Sequence, residues 1–152
     1  MQSYRLLATQ LLIIVASLTN IAGCSAADSS IKISDAWVRA SSPGQEVGAA
    51  YLTLQSSADT SLVKVESPAA GSVEIHSMSM DNGVMKMRML ETLPLTAGTP
   101  VKLEPGGFHL MLFDLKKSLT KGEKVSFTLY FKDNAGKTST MKIDSPVKAS
   151  AN

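Results

Sequence analysis

Turn-forming residues divide the chain beyond residue 30 into short runs, and this spacing constrains the fold more than any other feature. Asp81-Asn82-Gly83 joins two alternating runs and is typical of a β-hairpin turn, as is Asp133-Asn134-Ala135-Gly136. No long stretch has the apolar periodicity of a helix. The pattern predicts strands at residues 31–40, 48–55, 62–66, 73–80, 84–90, 101–103, 108–115, 125–132 and 138–144. Short strands at this spacing favour an all-β Greek-key sandwich or barrel.

Length and charge indicate one globular domain. The 152 residues suffice for a single core, and 44% apolar with 18% charged residues is ordinary for a folded domain. We place the domain at residues 31–147 and a tail at residues 148–152, and we expect fraying from Ser145 onward. The net charge is +2 and the lysines form no basic run. These features do not fit a nucleic-acid partner.

Residues 1–24 have the pattern of an export signal. Met1–Arg5 carries one positive charge, Leu6–Leu18 is mostly apolar, and small residues follow. The last four, Ile21–Cys24, resemble a bacterial lipobox, in which the cysteine becomes the lipidated N-terminus. Cleavage by ordinary signal peptidase after Ser25-Ala26 is the alternative. Residues 25–30 are small and polar, and a tether of this length reaches about 20 Å at most. An anchored domain would therefore lie close to its membrane.

The cysteine content excludes several kinds of chemistry. Cys24 is the only cysteine in the chain, so no disulfide can form within it. If Cys24 is acylated or removed, the folded part has no thiol. That excludes a cysteine nucleophile, thioredoxin-type exchange, an iron–sulfur cluster and a blue-copper centre, which needs a thiolate ligand.

Histidine and methionine are concentrated in one window, from His76 to Met111. Both histidines of the chain, His76 and His109, lie in it. Six of the eight methionines lie there too, and they are Met78, Met80, Met85, Met87, Met89 and Met111. Methionine is usually a scattered core filler, whereas thioether and imidazole together suit Cu(I). The concentration indicates a copper site.

Strand parity places these side chains on matching faces. Alternate residues of a strand share a face, so His76, Met78 and Met80 lie together, as do Met85, Met87 and Met89. His109 and Met111 also share a face, opposite Phe108, Leu110 and Leu112. The predicted hairpin sets the first two faces side by side, and a third strand could add the last pair. Alternating methionines taken alone more often form a core face. For Met78, Met80, Met85 and Met89, packing and a supporting role beside the ligands both stay open.

The spacing of four of these residues resembles a known family. His76, Met87, His109 and Met111 follow the pattern H-x10-M-x21-H-x-M, which is the motif of the periplasmic copper chaperones called the PCu(A)C family. The resemblance covers most of the mature chain. It includes Asp35–Ala40, Ala50–Leu54, Val73–His76, Asp81–Arg88 and Pro105–Leu112.

The resemblance implies a cupredoxin-like Greek-key β-sandwich that binds Cu(I) through His76, Met87, His109 and Met111. It also implies an extracytoplasmic protein, in the periplasm or cell envelope, that passes Cu(I) to the cytochrome c oxidase subunit carrying the CuA centre or to another copper chaperone. Some relatives carry a His- and Met-rich extension for Cu(II), but this chain has no third histidine. Four protein ligands leave no obvious position for an activated water, so we do not expect an enzyme.

Two alternatives to copper delivery stay open. The protein could sequester copper in the envelope for tolerance, using the same site without a dedicated client. It could also be a metal-free β-sandwich adhesion or assembly module with a methionine-rich core. Copper titration separates this last alternative from the other two.

We predict that Cys24 carries the membrane anchor, because the lipobox is the only role that the sequence offers this residue. Fractionation of cells should place the wild-type protein with the membranes and the Cys24→Ser protein in the soluble fraction. A wild-type protein that is fully soluble in the envelope would refute the anchor.

Overall fold

The computed structural model describes residues 30–149, and the regular structure within this range is entirely β-strand. The strands are β1 (Ile31–Arg39), β2 (Gly48–Ser56), β3 (Thr60–Glu66), β4 (Ser72–Asp81), β5 (Val84–Leu90), β6 (Leu93–Leu95), β7 (Val101–Leu103), β8 (Phe108–Phe113), β9 (Lys124–Asp133) and β10 (Thr138–Lys148). The export signal, Cys24 and all of the tether except Ser30 lie outside the described residues. No helix in residues 30–149 is long and apolar enough to cross a membrane.

The strands form one sheet that closes on itself. Its order is β5-β4-β8-β7-β2-β1-β10-β9-β3-β6, and β4 also pairs with β3 at Val73 and Val65. β8 in turn pairs directly with β2. Strands far apart in sequence therefore lie side by side, as in a Greek key, and the predicted all-β class is confirmed.

The interior of this barrel is filled by one set of alternate side chains. Ile75 of β4, Leu110 and Leu112 of β8, and Val38 of β1 are buried and belong to the same hydrophobic cluster. Phe127, Leu129 and Phe131 of β9 join it from the other side. The residues that alternate with Ile75 and Leu110 point outward, which leaves one face of β4 and β8 free for another task.

The turn between β4 and β5 has the geometry that its sequence predicts. Asn82 and Gly83 have φ values of 50° and 79°, and Asp81 pairs with Val84 across a two-residue loop. Positive φ at both central residues is the type I′ arrangement, which matches the twist of the flanking strands. The register of the hairpin is thereby fixed by its turn.

The C-terminal segment differs from expectation. β10 continues to Lys148, whereas fraying was expected from Ser145 onward. Ser145 and Val147 are buried, Ser145 pairs with Val125, and Val147 pairs in parallel with Val38. The prediction was wrong because the polar composition of the segment hid two residues that seal the barrel between β1 and β9.

Three other strands differ from the prediction by more than one residue, and the first of them, β3, begins at Thr60 rather than residue 62. β6, with the sequence Leu93-Pro94-Leu95, was not predicted, and it pairs with β3 at the edge of the sheet, where a proline is tolerated. β8 ends at Phe113 rather than residue 115, since Asp114 has a φ of 53° and leaves the strand conformation.

We predict that the barrel is stable without copper, because its core and its outer face use different residues. Leu110→Ala should lower the free energy of unfolding by about 2–5 kcal/mol, since the side chain is fully buried. Its neighbour Met111 points outward, so Met111→Leu should cost less than about 1.5 kcal/mol. Urea denaturation of the copper-free proteins measures both. A copper-free protein whose far-UV circular dichroism shows a random coil would contradict this account.

Candidate metal centre

The pairing of β4 with β8 brings both histidines together. The two strands are antiparallel, and His76 lies directly opposite His109 while Glu74 lies opposite Met111. In the hairpin, Met78 lies opposite Met87. All these side chains have the parity opposite to the buried Ile75 and Leu110, so they share the outer face of the barrel wall.

A pocket of about 210 Å³ opens on this outer face. It is lined by Arg39, Ala49, Tyr51, Met78, Met87, Pro105, Gly106, His109 and Met111. Three of the four residues that the sequence motif singles out, Met87, His109 and Met111, therefore share one pocket. Met78 joins them as a further thioether, although for this residue the sequence left packing and a supporting role open.

His76 borders this group without lining the pocket. Its ring centroid lies 5.8 Å from that of His109 and 6.1 Å from that of Phe113. The side chain is 12% exposed. The structure thus places the fourth predicted residue directly across the strand pair from His109.

The hydrogen bond of His109 selects which ring nitrogen is free. Its Nδ1–H donates to the carbonyl oxygen of Gly107 at 3.0 Å. In a neutral imidazole the other nitrogen then carries a lone pair. The Nε2 atom of His109 is therefore available to a metal ion, and the ring is held in place by the backbone, an arrangement common for metal-binding histidines.

His76 has a buried nitrogen that lacks a partner. Its Nε2–H donates to the carboxylate of Glu74 at 2.8 Å, so the lone pair lies on Nδ1. That Nδ1 atom is buried and makes no hydrogen bond within the described structure. A buried polar atom without a partner costs about 1–3 kcal/mol. A metal ion bound at Nδ1 would remove this cost, and the residues present therefore fit a metal ion.

The pocket is also lined by one aromatic and one cationic side chain, Tyr51 and Arg39. The rings of Trp37 and Tyr51 are 4.5 Å apart at their centroids, and the Arg39 guanidinium carbon lies 5.5 Å above the Tyr51 ring. Burial raises the pKa of Tyr51, and the charge of Arg39 opposes that shift only in part. The phenol therefore stays neutral at physiological pH and offers no anionic oxygen. The positive charge of Arg39 disfavours a divalent ion more than a monovalent one.

The donors at the pocket are soft and neutral. Within residues 30–149, no three His, Cys, Asp or Glu side chains cluster in the way a metal ion would need. Thioethers and imidazoles are what the pocket offers, and Glu74 is engaged with His76. This set suits Cu(I) rather than Zn²⁺, Mg²⁺ or Ca²⁺, which are bound through carboxylate, thiolate or several nitrogen ligands.

The methionines of the hairpin do not form a core face. Met80, Met85, Met87 and Met89 are 66%, 59%, 48% and 57% exposed, respectively. The alternative that the sequence left open for Met80, Met85 and Met89, packing in the interior, is therefore wrong. The physical reason is that these side chains point to the outer face of the barrel wall and not into its interior.

Glu74 orients His76 and was not predicted from the sequence as a residue of the site. The signal was present as a Glu-x-His pair, because residues two apart on a strand share a face. Only the structure shows that the carboxylate reaches the ring instead of solvent.

Comparison with known proteins finds a matching family and a curated relative. Residues 31–147 match the family model described as "Putative lipoprotein LpqE-like". The chain is 34% identical over 119 residues to "Putative lipoprotein Lxx21020" of Leifsonia xyli subsp. xyli (strain CTCB07). That match covers 78% of this chain and 69% of the relative.

Two solved structures have a similar fold. The copper-bound PCuAC domain from PmoF2 superposes with a TM-score of 0.63 at 29% identity, over 78% of this chain and 92% of that domain. The Cu(I) form of DR1885 from Deinococcus radiodurans superposes with a TM-score of 0.55 at 33% identity, over 84% of this chain and 83% of that protein. These similarities confirm the cupredoxin-like fold and the resemblance to PCu(A)C domains.

We predict that Glu74 sets the tautomer of His76. Nitrogen NMR of the copper-free protein at pH 8 should show the proton on Nε2 of His76 and on Nδ1 of His109. Glu74→Ala should give His76 a mixture of tautomers and weaken Cu(I) binding by about 10–100-fold. Glu74→Gln, whose amide oxygen can still accept the hydrogen bond, should retain more of both properties. An unchanged His76 tautomer in Glu74→Ala would disprove this role, and His109 serves as the internal control.

Proposed function

Since the chain belongs to the LpqE-like family, we propose that it is a copper chaperone of the cell envelope that binds one Cu(I) through His76, Met87, His109 and Met111. One observation carries the proposal. Met87, His109 and Met111 line a single outer pocket, and the ring of His76, whose Nδ1 has no partner, lies 5.8 Å from the ring of His109. The similar PmoF2 domain and DR1885 are, by name, bound to copper and to Cu(I).

The donor set fits a carrier of copper rather than a catalyst. Thioethers and neutral imidazoles bind Cu(I) without releasing a proton and without cancelling its charge. Each ligand can be replaced singly by a soft ligand of a recipient, so that the ion leaves by stepwise exchange. The position of the pocket on the outer face supports such access. In this role copper is the cargo, and the protein is not an enzyme.

The recipient that we propose is the cytochrome c oxidase subunit carrying the CuA centre, or another copper chaperone. The protein would act in the periplasm, held to a membrane by a lipid at Cys24. The lipoprotein descriptions of the family and of the Leifsonia relative support this location. The choice of recipient is supported by the resemblance to the PCu(A)C family, which the spacing of the four proposed ligands carries.

We predict that replacing either proposed thioether ligand lowers the Cu(I) affinity much more than replacing a neighbouring methionine does. Met87→Leu and Met111→Leu should each lower the Cu(I) affinity by about a hundredfold, the equivalent of about 2.8 kcal/mol. Leucine roughly preserves volume, so packing would not explain the loss. Titration of Cu(I) against a competing chelator measures the affinity.

Met89→Leu is the matched control, because Met89 is on the same strand face as Met87 and is similarly exposed. Its affinity should stay within about threefold of the wild type, below 1 kcal/mol. If Met89→Leu lost Cu(I) binding while Met87→Leu retained it, the ligand assignment would be wrong.

Delivery is distinguished from sequestration in cells. A deletion strain grown under copper limitation should lose cytochrome c oxidase activity, and the wild-type gene but not a Met87→Leu, Met111→Leu gene should restore it. Normal oxidase activity together with poor growth under copper excess would instead support sequestration.

A further inference from the structure

The hairpin of β4 and β5 carries a row of thioethers that extends beyond the pocket. Met78 lies opposite Met87, and Met80 lies opposite Met85, one step nearer to the turn. We call these two pairs the inner rung and the outer rung. Both rungs are on the outer face, because all four side chains share the parity of His76. The inner rung lines the pocket, whereas the outer rung does not.

The outer rung lies past the end of the barrel wall. β4 pairs with β8 only as far as Ser77, and the remainder of β4 pairs with β5. Met80 and Met85 are 66% and 59% exposed. Their side chains therefore contribute little to the core, and the fold gives no packing reason for two methionines at this place.

The rest of the hairpin tip holds together without these methionines. Its turn has the favourable type I′ geometry at Asn82 and Gly83. On the opposite face Ser79 pairs with Lys86 and exposed Val84 pairs with Asp81, and Lys86 forms an ion pair with Asp81. The structure of the tip therefore does not require methionine at positions 80 and 85.

The spacing of the rungs suits Cu(I). Side chains directly opposite in an antiparallel pair have Cβ atoms about 4.5–5.5 Å apart, and methionine has three rotatable bonds. Two opposing sulfurs can therefore converge on one ion, and Cu(I) accepts low coordination numbers with soft ligands. Successive rungs are separated by about 6.8 Å along the strand. An ion on the outer rung is within reach of the flexible thioethers of the inner rung.

We propose that Met80 and Met85 form a second, weaker Cu(I) site, through which copper enters and leaves the pocket. This proposal rests on the proposed function of the pocket itself. The ion moves by ligand exchange: a Cu–S bond to Met80 or Met85 forms while one to Met78 or Met87 breaks. Copper stays Cu(I) throughout, no electron or proton moves, and the ion does not have to be released into water.

The test compares the wild type with a Met80→Leu, Met85→Leu double variant. Leucine keeps the tip apolar and removes both sulfurs, so a surface that merely docks an apolar partner would be preserved. Met141→Leu is the control, since Met141 is on β10 and packs against the core, away from the hairpin. Cu(I) is added anaerobically as its acetonitrile complex, and the methionine methyl groups are followed by carbon NMR.

The wild type and Met141→Leu should bind one equivalent of Cu(I) tightly and a second equivalent more weakly. Binding of the second equivalent should shift the methyl signals of Met80 and Met85. The double variant should keep the tight equivalent and lose the weaker one. It should also release copper to a chelator about tenfold more slowly, the equivalent of a barrier higher by about 1.4 kcal/mol.

A double variant that still binds the weaker equivalent, or releases copper at the wild-type rate, would overturn the proposal. That result differs from failure of the proposed function, in which the wild type would bind no tight equivalent.

Discussion

The site depends on the antiparallel pairing of β4 with β8. In this register His76 faces His109 and Glu74 faces Met111. A shift of one residue would turn either strand's ligands into the barrel and its apolar residues out to solvent. The buried Ile75 and Leu110, which also face each other, oppose such a shift. The apolar core thus fixes the positions of the proposed copper ligands on the opposite face of the same strands.

The barrel wall has an inner and an outer face, and this explains how one short strand, β8, contributes both to stability and to the pocket. Inward side chains of β8 belong to the core, and His109 and Met111, which alternate with them, line the pocket. A site on regular strands is held more precisely than one on loops. The hydrogen bonds from His109 to Gly107 and from His76 to Glu74 add further order, because each leaves one defined nitrogen free. By contrast, the tip of the hairpin is exposed on both faces, which suits side chains that must exchange a ligand.

Local patterns in the sequence predicted much of this structure. Alternation gave most strands within one or two residues, the Asn82-Gly83 turn gave the hairpin, and parity placed His76, Met87, His109 and Met111 on matching faces. Alternation within a strand could not say which distant strand lies beside β4, nor that β3 closes the barrel against it. Those pairings follow from packing between residues far apart in sequence. The same limit hid the buried Val147 in the last strand and the contact of Glu74 with His76.

The ligand set that we propose for one monovalent copper ion, on the outer face of the barrel, consists of two thioethers and two imidazoles. X-ray absorption of the wild-type protein loaded with one equivalent of Cu(I) tests it most directly, because the spectrum reports the atoms bonded to copper. We expect sulfur and nitrogen neighbours together, with the sulfur contribution reduced when Met87 or Met111 is replaced by leucine. A spectrum with nitrogen and oxygen neighbours alone would contradict it.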